Sequence, residues 1–207
     1  VESGAEIVGY DLTVTGNNAV ASVTAAGEAE VTINNAYEQQ LTSVTATKVW
    51  NDNDDQDGLR ADVTLNLYKQ VGETKALVES KTIVKDAAEL TVTWNDLPEY
   101  EGDVKIVYTV TENELAGYTT SITGDAENGF TVTNTHTPTT ADVTVKKVWD
   151  DGDDRDGFRT DKVTFELYAN DVKVDEATFD GTGNEWSHVF PAKPVKANGS
   201  NIVYSVK

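Results

Sequence analysis

Lys48-Val49-Trp50-Asn51-Asp52-Asn53-Asp54-Asp55-Gln56-Asp57-Gly58-Leu59-Arg60 returns as Lys147-Val148-Trp149-Asp150-Asp151-Gly152-Asp153-Asp154-Arg155-Asp156-Gly157-Phe158-Arg159, a period of 99 residues measured from Trp50 to Trp149. An internal repeat of that length corresponds to one sandwich-sized domain. After each run the same series follows: a strand ending in Leu-Tyr (Tyr68, Tyr168), a strand bearing Trp (Trp94, Trp186), a turn with Pro (Pro98, Pro191) and a Val-Tyr strand (Tyr108, Tyr204). Val63-Thr64-Leu65-Asn66-Leu67-Tyr68 and Val104-Lys105-Ile106-Val107-Tyr108-Thr109-Val110 alternate with period two, as half-buried strands do. No segment of helical length carries apolar residues at i, i+3, i+4 and i+7, so the expected class is all-β.

The first copy continues beyond the point where the second stops, through Glu112, Gly117-Tyr118, Ile122-Thr123-Gly124 and Thr131-Val132-Thr133-Asn134-Thr135-His136. The matching end of the second copy stands at the beginning of the chain, in Gly9-Tyr10, Val14-Thr15-Gly16 and Val31-Thr32-Ile33-Asn34-Asn35-Ala36-Tyr37. The expected organisation is therefore an intact domain over 41–138, with 141–207 and 1–40 as the front and back of a divided one. Thr-rich connectors near Thr42 and at Pro138-Thr139-Thr140 mark the joints. Such a frame arises by permutation or as one unit of a long array. The back half is expected to complete the front half within one chain or in a neighbouring molecule, the latter giving head-to-tail assembly.

Composition narrows the function classes. Sixteen Lys and Arg against 36 Asp and Glu give a net charge of −20, which repels nucleic acid and anionic membrane alike. Cysteine is absent, which removes disulfides, thiolate metal sites and cysteine nucleophiles together. No apolar run approaches membrane length and no signal peptide or sorting tail is evident, so membrane insertion is not expected and the chain reads as a soluble protein or a fragment of a longer one. Only His136 and His188 are available, one per copy, which is too few for a histidine metal cluster or a Ser-His-Asp triad; both are expected at strand ends or on the surface. Trp94 and Trp186, in alternating strand context, are expected in the core rather than on a sugar platform.

The Thr-Lys-Val-Trp opening with its Asp-rich loop, the Tyr108-Thr109-Val110-Thr111-Glu112 strand, the Gly117-Tyr118 turn and the closing Val132-Thr133-Asn134-Thr135 strand resemble Cna protein B-type (CnaB) repeats of Gram-positive surface adhesins and pilins. The resemblance covers nearly the whole chain. It implies tandem immunoglobulin-like β-sandwiches, a cell-surface location in a wall-anchored parent protein, neighbouring repeats as partners, and a role in holding an adhesive domain away from the wall. It also implies a spontaneous Lys–Asn isopeptide bond between the first and last strands, assisted by a buried acid.

On the intact domain the residues carrying that chemistry are Lys48, Asn134 and Glu112. Lys48 alternates with Trp50 and Glu112 with Tyr108 and Val110, so each is expected to face inward. Apolar surroundings favour the uncharged forms of an amine and a carboxyl alike, and a neutral amine beside a carboxylic acid is competent to attack an amide. An ordinary solvent-facing strand lysine is the alternative on spacing alone. On the divided domain the counterparts are Lys147 and Asn35, with Asn34 as a rival, and Glu2 as the acid. Glu2 falls five positions after Tyr204 when the ends are joined, where Glu112 falls four after Tyr108, so its parity requires a bulge.

The expectation is a structural stalk or spacer repeat that reacts once with itself and is not a turnover enzyme, with no cofactor. A ligand-binding adhesin module recognising a host protein or glycan is the alternative, and a paired-carboxylate hydrolase lacks a pocket signature. The loops Asn53 to Gly58 and Gly152 to Gly157 hint at calcium assistance for a binding module, but the twelfth position counted from Asn53 is Thr64 where an EF-hand needs Glu.

Overall fold

The period-two pattern is realised throughout a computed structural model that describes residues 4–16, 19–22 and 27–207, in which the described residues form strands, turns and loops with no helix. The strands are β1 (Tyr10–Thr15), β2 (Asn34–Gln39), β3 (Leu41–Asn51), β4 (Val63–Val71), β5 (Thr74–Ile83), β6 (Thr91–Pro98), β7 (Tyr100–Glu101), β8 (Val104–Lys105) and β9 (Val107–Glu112). They continue as β10 (Thr119–Asp125), β11 (Gly129–Thr135), β12 (Thr140–Val148), β13 (Val163–Ala169), β14 (Val172–Phe179), β15 (Glu185–Pro194), β16 (Lys196–Ala197), β17 (Ser200–Asn201) and β18 (Tyr204–Val206). The chain divides into two compact units, one made of the residues up to Val49 with Ala61–Leu115 and Thr119–Asn134, the other of Trp50–Arg60, Ala116–Tyr118 and Thr135–Lys207.

In the first unit a four-stranded sheet of order β10-β11-β3-β6 and a three-stranded sheet of order β5-β4-β9 supply the inward faces of a sandwich. Alternation decides which residues fill it. Val44 and Ala46 of β3, Trp94 and Leu97 of β6, and Phe130 and Val132 of β11 are buried from one sheet, and Val63, Leu65, Leu67, Tyr108 and Val110 from the other. Beside them, β1 and β2 form a two-stranded antiparallel hairpin in which all six residues of β2 are exposed.

The second unit contains the pair β12-β15 and the three-stranded sheet β14-β13-β18. Val145, Leu167 and Phe190 form its buried centre, with Val143, Phe165, Ala177 and Tyr204 packed against them. Trp186 is buried as well, so both tryptophans of the repeat series, Trp94 and Trp186, belong to cores.

Candidate functional site

Three inward alternations of the first unit each end on a polar residue. On β3 the buried series Val44, Ala46 ends at Lys48, 1 % exposed; on β11 Phe130, Val132 ends at Asn134, 0 % exposed. On β9 Tyr108 and Val110 lead to Glu112, which sits opposite Leu65 of β4. Since β3 and β11 are neighbours in one sheet and β9 belongs to the other, the amine and the amide come from adjacent strands and the carboxyl faces them across the sandwich.

Lys48 Nζ stands 3.7 Å from Glu112 Oε1, and neither side chain is exposed. The amine donates to Val132 O at 3.3 Å and to Val49 O at 3.1 Å, and Val132 lies two residues before Asn134 on the same strand. Thr120, on the edge strand β10, places its hydroxyl 2.8 Å from Glu112 Oε2 and 3.0 Å from Asn134 Oδ1. Asn134 Nδ2 is buried with no hydrogen-bond partner. Withdrawing an ammonium and a carboxylate from water costs several kcal/mol per ion, and an amide left with an unsatisfied donor adds a further ~1–3 kcal/mol. Their placement at the end of a hydrophobic face is thus a net cost to folding unless the groups pair or react. Chemically, the cluster holds a nucleophile, an electrophilic carbonyl and a proton carrier in one dry volume.

The other sequence-derived residues are not gathered in this way. Lys147 of β12 is half-buried opposite Trp186, with Nζ 4.3 Å from the centre of the Trp149 ring, a cation–π contact. Asn35 and Asn34 lie on β2 opposite Val14 and Thr15, both exposed. Lys147 belongs to the second unit and Asn35 to the first, so neither unit alone holds the pair. Glu2 lies outside the described residues.

The Asp-rich loops close on residues that the sequence analysis did not single out. Asp52 accepts from Arg60 Nε at 2.8 Å and from Nη2 at 2.7 Å, from Tyr118 Oη at 2.8 Å and from the Asp55 amide at 3.1 Å. Arg60 foremost, with the Asp55 amide and Tyr118, holds the Asp52 carboxyl down at about 2, and burial beside Asp52 pushes the Tyr118 phenol up. The second loop repeats the clasp: Arg159 donates to both oxygens of Asp151, which is likewise held at about 2. Asn53, Asp54 and Asp55 have φ of 55°, 59° and 55°, three successive left-handed residues of the kind that Asn and Asp tolerate. The signal was present in the sequence as an Asp eight residues before an Arg in both copies. Among the described residues no group of three or more His, Cys, Asp or Glu is arranged to hold a metal ion.

His136 stands at a strand end as expected, one residue past β11, whereas His188 lies within β15 and is half-buried. His136 has Nδ1 2.8 Å from Gly117 O and Nε2 3.0 Å from Asp57 Oδ2, and Asp57 also accepts from the Thr139 amide and hydroxyl. Acceptors at both ring nitrogens favour the imidazolium, and Asp57 foremost raises the pKa. His188 is half-buried between Phe179 and Phe190, with ring centres 5.5 and 4.8 Å away.

Comparison with known proteins places this geometry in context. The profile of the Cna protein B-type domain matches residues 44–135 and 143–207. The collagen adhesin of Staphylococcus aureus is 36% identical over 177 residues, covering 84% of this chain and 14% of the adhesin. Two B repeat units of the S. aureus collagen binding protein superimpose with a TM-score of 0.68 at 30% identity, over 97% of this chain and 49% of that one. A single B repeat unit of the same protein is 34% identical over 81% of this chain and 85% of its own, with a TM-score of 0.40. The chain thus spans about one seventh of the length of the collagen adhesin that it matches.

Proposed function

Because the chain belongs to the Cna protein B-type domain family, we propose that it serves as a stalk or spacer repeat of a surface adhesin, stapled by an isopeptide bond between Lys48 and Asn134. The observation that carries this reading is the buried cluster: Lys48 Nζ 3.7 Å from Glu112, both side chains fully buried, with Asn134 beside them on the neighbouring strand. Nζ attacks Asn134 Cγ, the amide nitrogen leaves as ammonia, and Glu112 carries the protons between them. The reaction runs once per domain, so the chain is not a turnover enzyme.

The bond would join β3 to β11, placing a covalent link where tension would otherwise fall on a ladder of hydrogen bonds. It would also restrict the unfolded chain as a disulfide does, in a protein that has no cysteine. The parent protein is accordingly assigned to the cell surface, anchored to a Gram-positive wall. Intact mass in denaturant tests the bond: a deficit of one ammonia for the domain 41–138 supports it, and an unchanged mass removes it.

A second element of the proposal concerns residues 141–207 as the front part and 1–40 as the back part of another such sandwich. Among the described residues β12 pairs with β15 alone, leaving its other edge open. A groove of about 250 Å³ lined by Val143, Val145, Leu167, Tyr204 and Val206 lies within the same unit. A strand supplied by the back part of a neighbouring molecule would fill both and bring Asn35 to Lys147. Concentration-dependent oligomers in size-exclusion chromatography are the expected result, with ladders in SDS wherever a bond forms between molecules; monomers at all concentrations would remove this element and leave the first intact.

A further inference from the structure

The Thr120 hydroxyl carries one hydrogen but stands within hydrogen-bond distance of two groups that ordinarily accept, Glu112 Oε2 at 2.8 Å and Asn134 Oδ1 at 3.0 Å. With a carboxylate the single Thr120 hydrogen is shared between the two acceptors; in the acid form of Glu112 the chain becomes continuous, Oε2 donating to Thr120 Oγ1 while Thr120 donates to Oδ1. The other carboxyl oxygen, Oε1, has no hydrogen-bond partner and faces Lys48 Nζ at 3.7 Å. One oxygen of Glu112 is thereby directed at the nucleophile and the other, through Thr120, at the electrophile.

We infer that Thr120 is a catalytic residue of the Lys48–Asn134 cross-linking reaction, relaying the proton of Glu112 to the amide oxygen; this rests on the cross-linking reading above. As the Nζ lone pair adds to Cγ, the carbonyl π pair moves onto Oδ1, which takes the Thr120 proton. Thr120 takes the proton of Oε2, and Oε1 takes a proton from Nζ. The neutral tetrahedral adduct then collapses: Oε1 returns its proton to Nδ2, the Cγ–Nδ2 bond breaks and releases ammonia, and the Oδ1 proton passes back through Thr120 to Oε2. Glu112 ends as it began, and one amide has replaced another with no oxidant, metal or added base.

Two features of the position strengthen the assignment. Thr120 lies on an edge strand and is exposed as a residue, so its hydroxyl does not serve to complete a core. The back half of the divided copy, matched through Gly9-Tyr10 and Gly117-Tyr118, has Leu12 where the intact copy has Thr120, and therefore no hydroxyl to relay.

The test uses the full chain made by cell-free synthesis, chased after a short pulse and weighed intact in denaturant, as wild type, Thr120→Val, Thr120→Ser and Glu112→Gln. The wild type is expected to lose one ammonia during the chase and Glu112→Gln none. Thr120→Val should react on the order of 100-fold more slowly, the scale of one lost proton-transfer group, and Thr120→Ser within about threefold of wild type. Thr120→Val at the wild-type rate overturns the relay and leaves the cross-link standing. Thr120→Ser as slow as Thr120→Val also overturns it, since the methyl and not the hydroxyl would then matter. A wild type that never loses ammonia overturns the cross-linking reading itself. Thermal unfolding of Thr120→Val before the chase should match that of the not yet linked wild type to within a few degrees, which separates slow chemistry from failed folding.

Discussion

The two copies of the Lys-Val-Trp run share spacing and an Asp–Arg clasp, yet their lysines have opposite surroundings. Lys48 is withdrawn from water beside Glu112 and Val132 O, whereas Lys147 keeps its amine over the face of Trp149 and is only half-buried. What differs is the number of strands around them. Lys48 sits in a sandwich that includes β9, β10 and β11, and 141–207 contains the counterparts of β3 to β9 without those of β10 and β11. The identity and spacing of a residue set which face it occupies; whether that face is dry depends on strands far away in sequence.

The largest expected effect separates the lysines directly. Lys48→Met removes the partner of a fully buried carboxyl and the nucleophile together. It should lower the stability of the domain by about 3–5 kcal/mol and abolish the ammonia deficit that maps to it. Lys147→Met should cost less than about 1 kcal/mol, the range of a part-exposed cation–π contact. Thermal unfolding with intact mass reads both. Equal losses in the two variants would break the comparison.

The clasps come next. Asp52→Asn leaves Arg60 and Tyr118 with a weakened partner in a place where the Asp52 side chain is 1 % exposed, and should cost about 2 kcal/mol. Asp151→Asn, at a site where the aspartate is 32 % exposed and no tyrosine joins the pair among the described residues, should cost clearly less in the same denaturant titration. The Asp52 pKa is lowered on folding, so its contribution is complete above the ordinary 3.8 and disappears as pH falls through about 2. Acid unfolding followed by tyrosine and tryptophan fluorescence should lose that acid-side dependence in Asp52→Asn.

At the joint after β11 the dependence runs the other way. The His136 pKa is raised on folding, chiefly by Asp57, so the stabilisation it provides is complete below 6.5 and disappears as pH rises through the higher folded value. His136→Gln should remove a dependence of about 1 kcal/mol between weakly acidic and weakly alkaline pH, checked by urea unfolding at both. The second copy has no counterpart of the His136–Asp57 pair at that position, since Tyr37 stands there in the back half. A slope that survives in His136→Gln would assign the titration elsewhere.

Much of the fold was legible because alternation and repetition are local signals. Period two offered an inward face for Lys48 and Glu112 but left a solvent-facing lysine open, the family resemblance singled out Lys48, Asn134 and Glu112 together, and the repeat gave the length of one domain. Thr120 was not legible: Thr119-Thr120-Ser121 presents no apolar pattern, and the role of Thr120 arises only when β10 lies against the buried cluster. The Asp-rich loops suggested a cation where an arginine eight residues downstream takes the carboxylate. The hairpin shows a further limit. By motif, Leu12 corresponds to Thr120 and Asn35 to Asn134, and Thr120 and Asn134 touch; in the hairpin Leu12 faces Tyr37 and Asn35 faces Val14, two residues out of step. With every residue of β2 exposed, no burial fixes its register, and a two-residue shift preserves which face each side chain occupies.

The smallest expected effect bears on the same missing strands. Leu59 and Phe158 end the Asp-rich run at matching positions, but Leu59 is 39 % exposed and packs near Gly117, while Phe158 is 88 % exposed. The turn Ala116–Tyr118 that shelters Leu59 has no counterpart within 141–207. Phe158→Ser should therefore change the stability of dilute protein by less than about 0.5 kcal/mol, and Leu59→Ser by about 1 kcal/mol. If the back part of a neighbouring molecule completes the divided sandwich, its Gly9-Tyr10 turn would cover Phe158 as Gly117-Tyr118 covers Leu59. The penalty for Phe158→Ser should then grow with protein concentration, as it must for any contact made only in the assembled state. Thermal melts of both variants across a hundredfold range of concentration would show it, and a concentration-independent gap between them would leave the divided copy without a partner in solution.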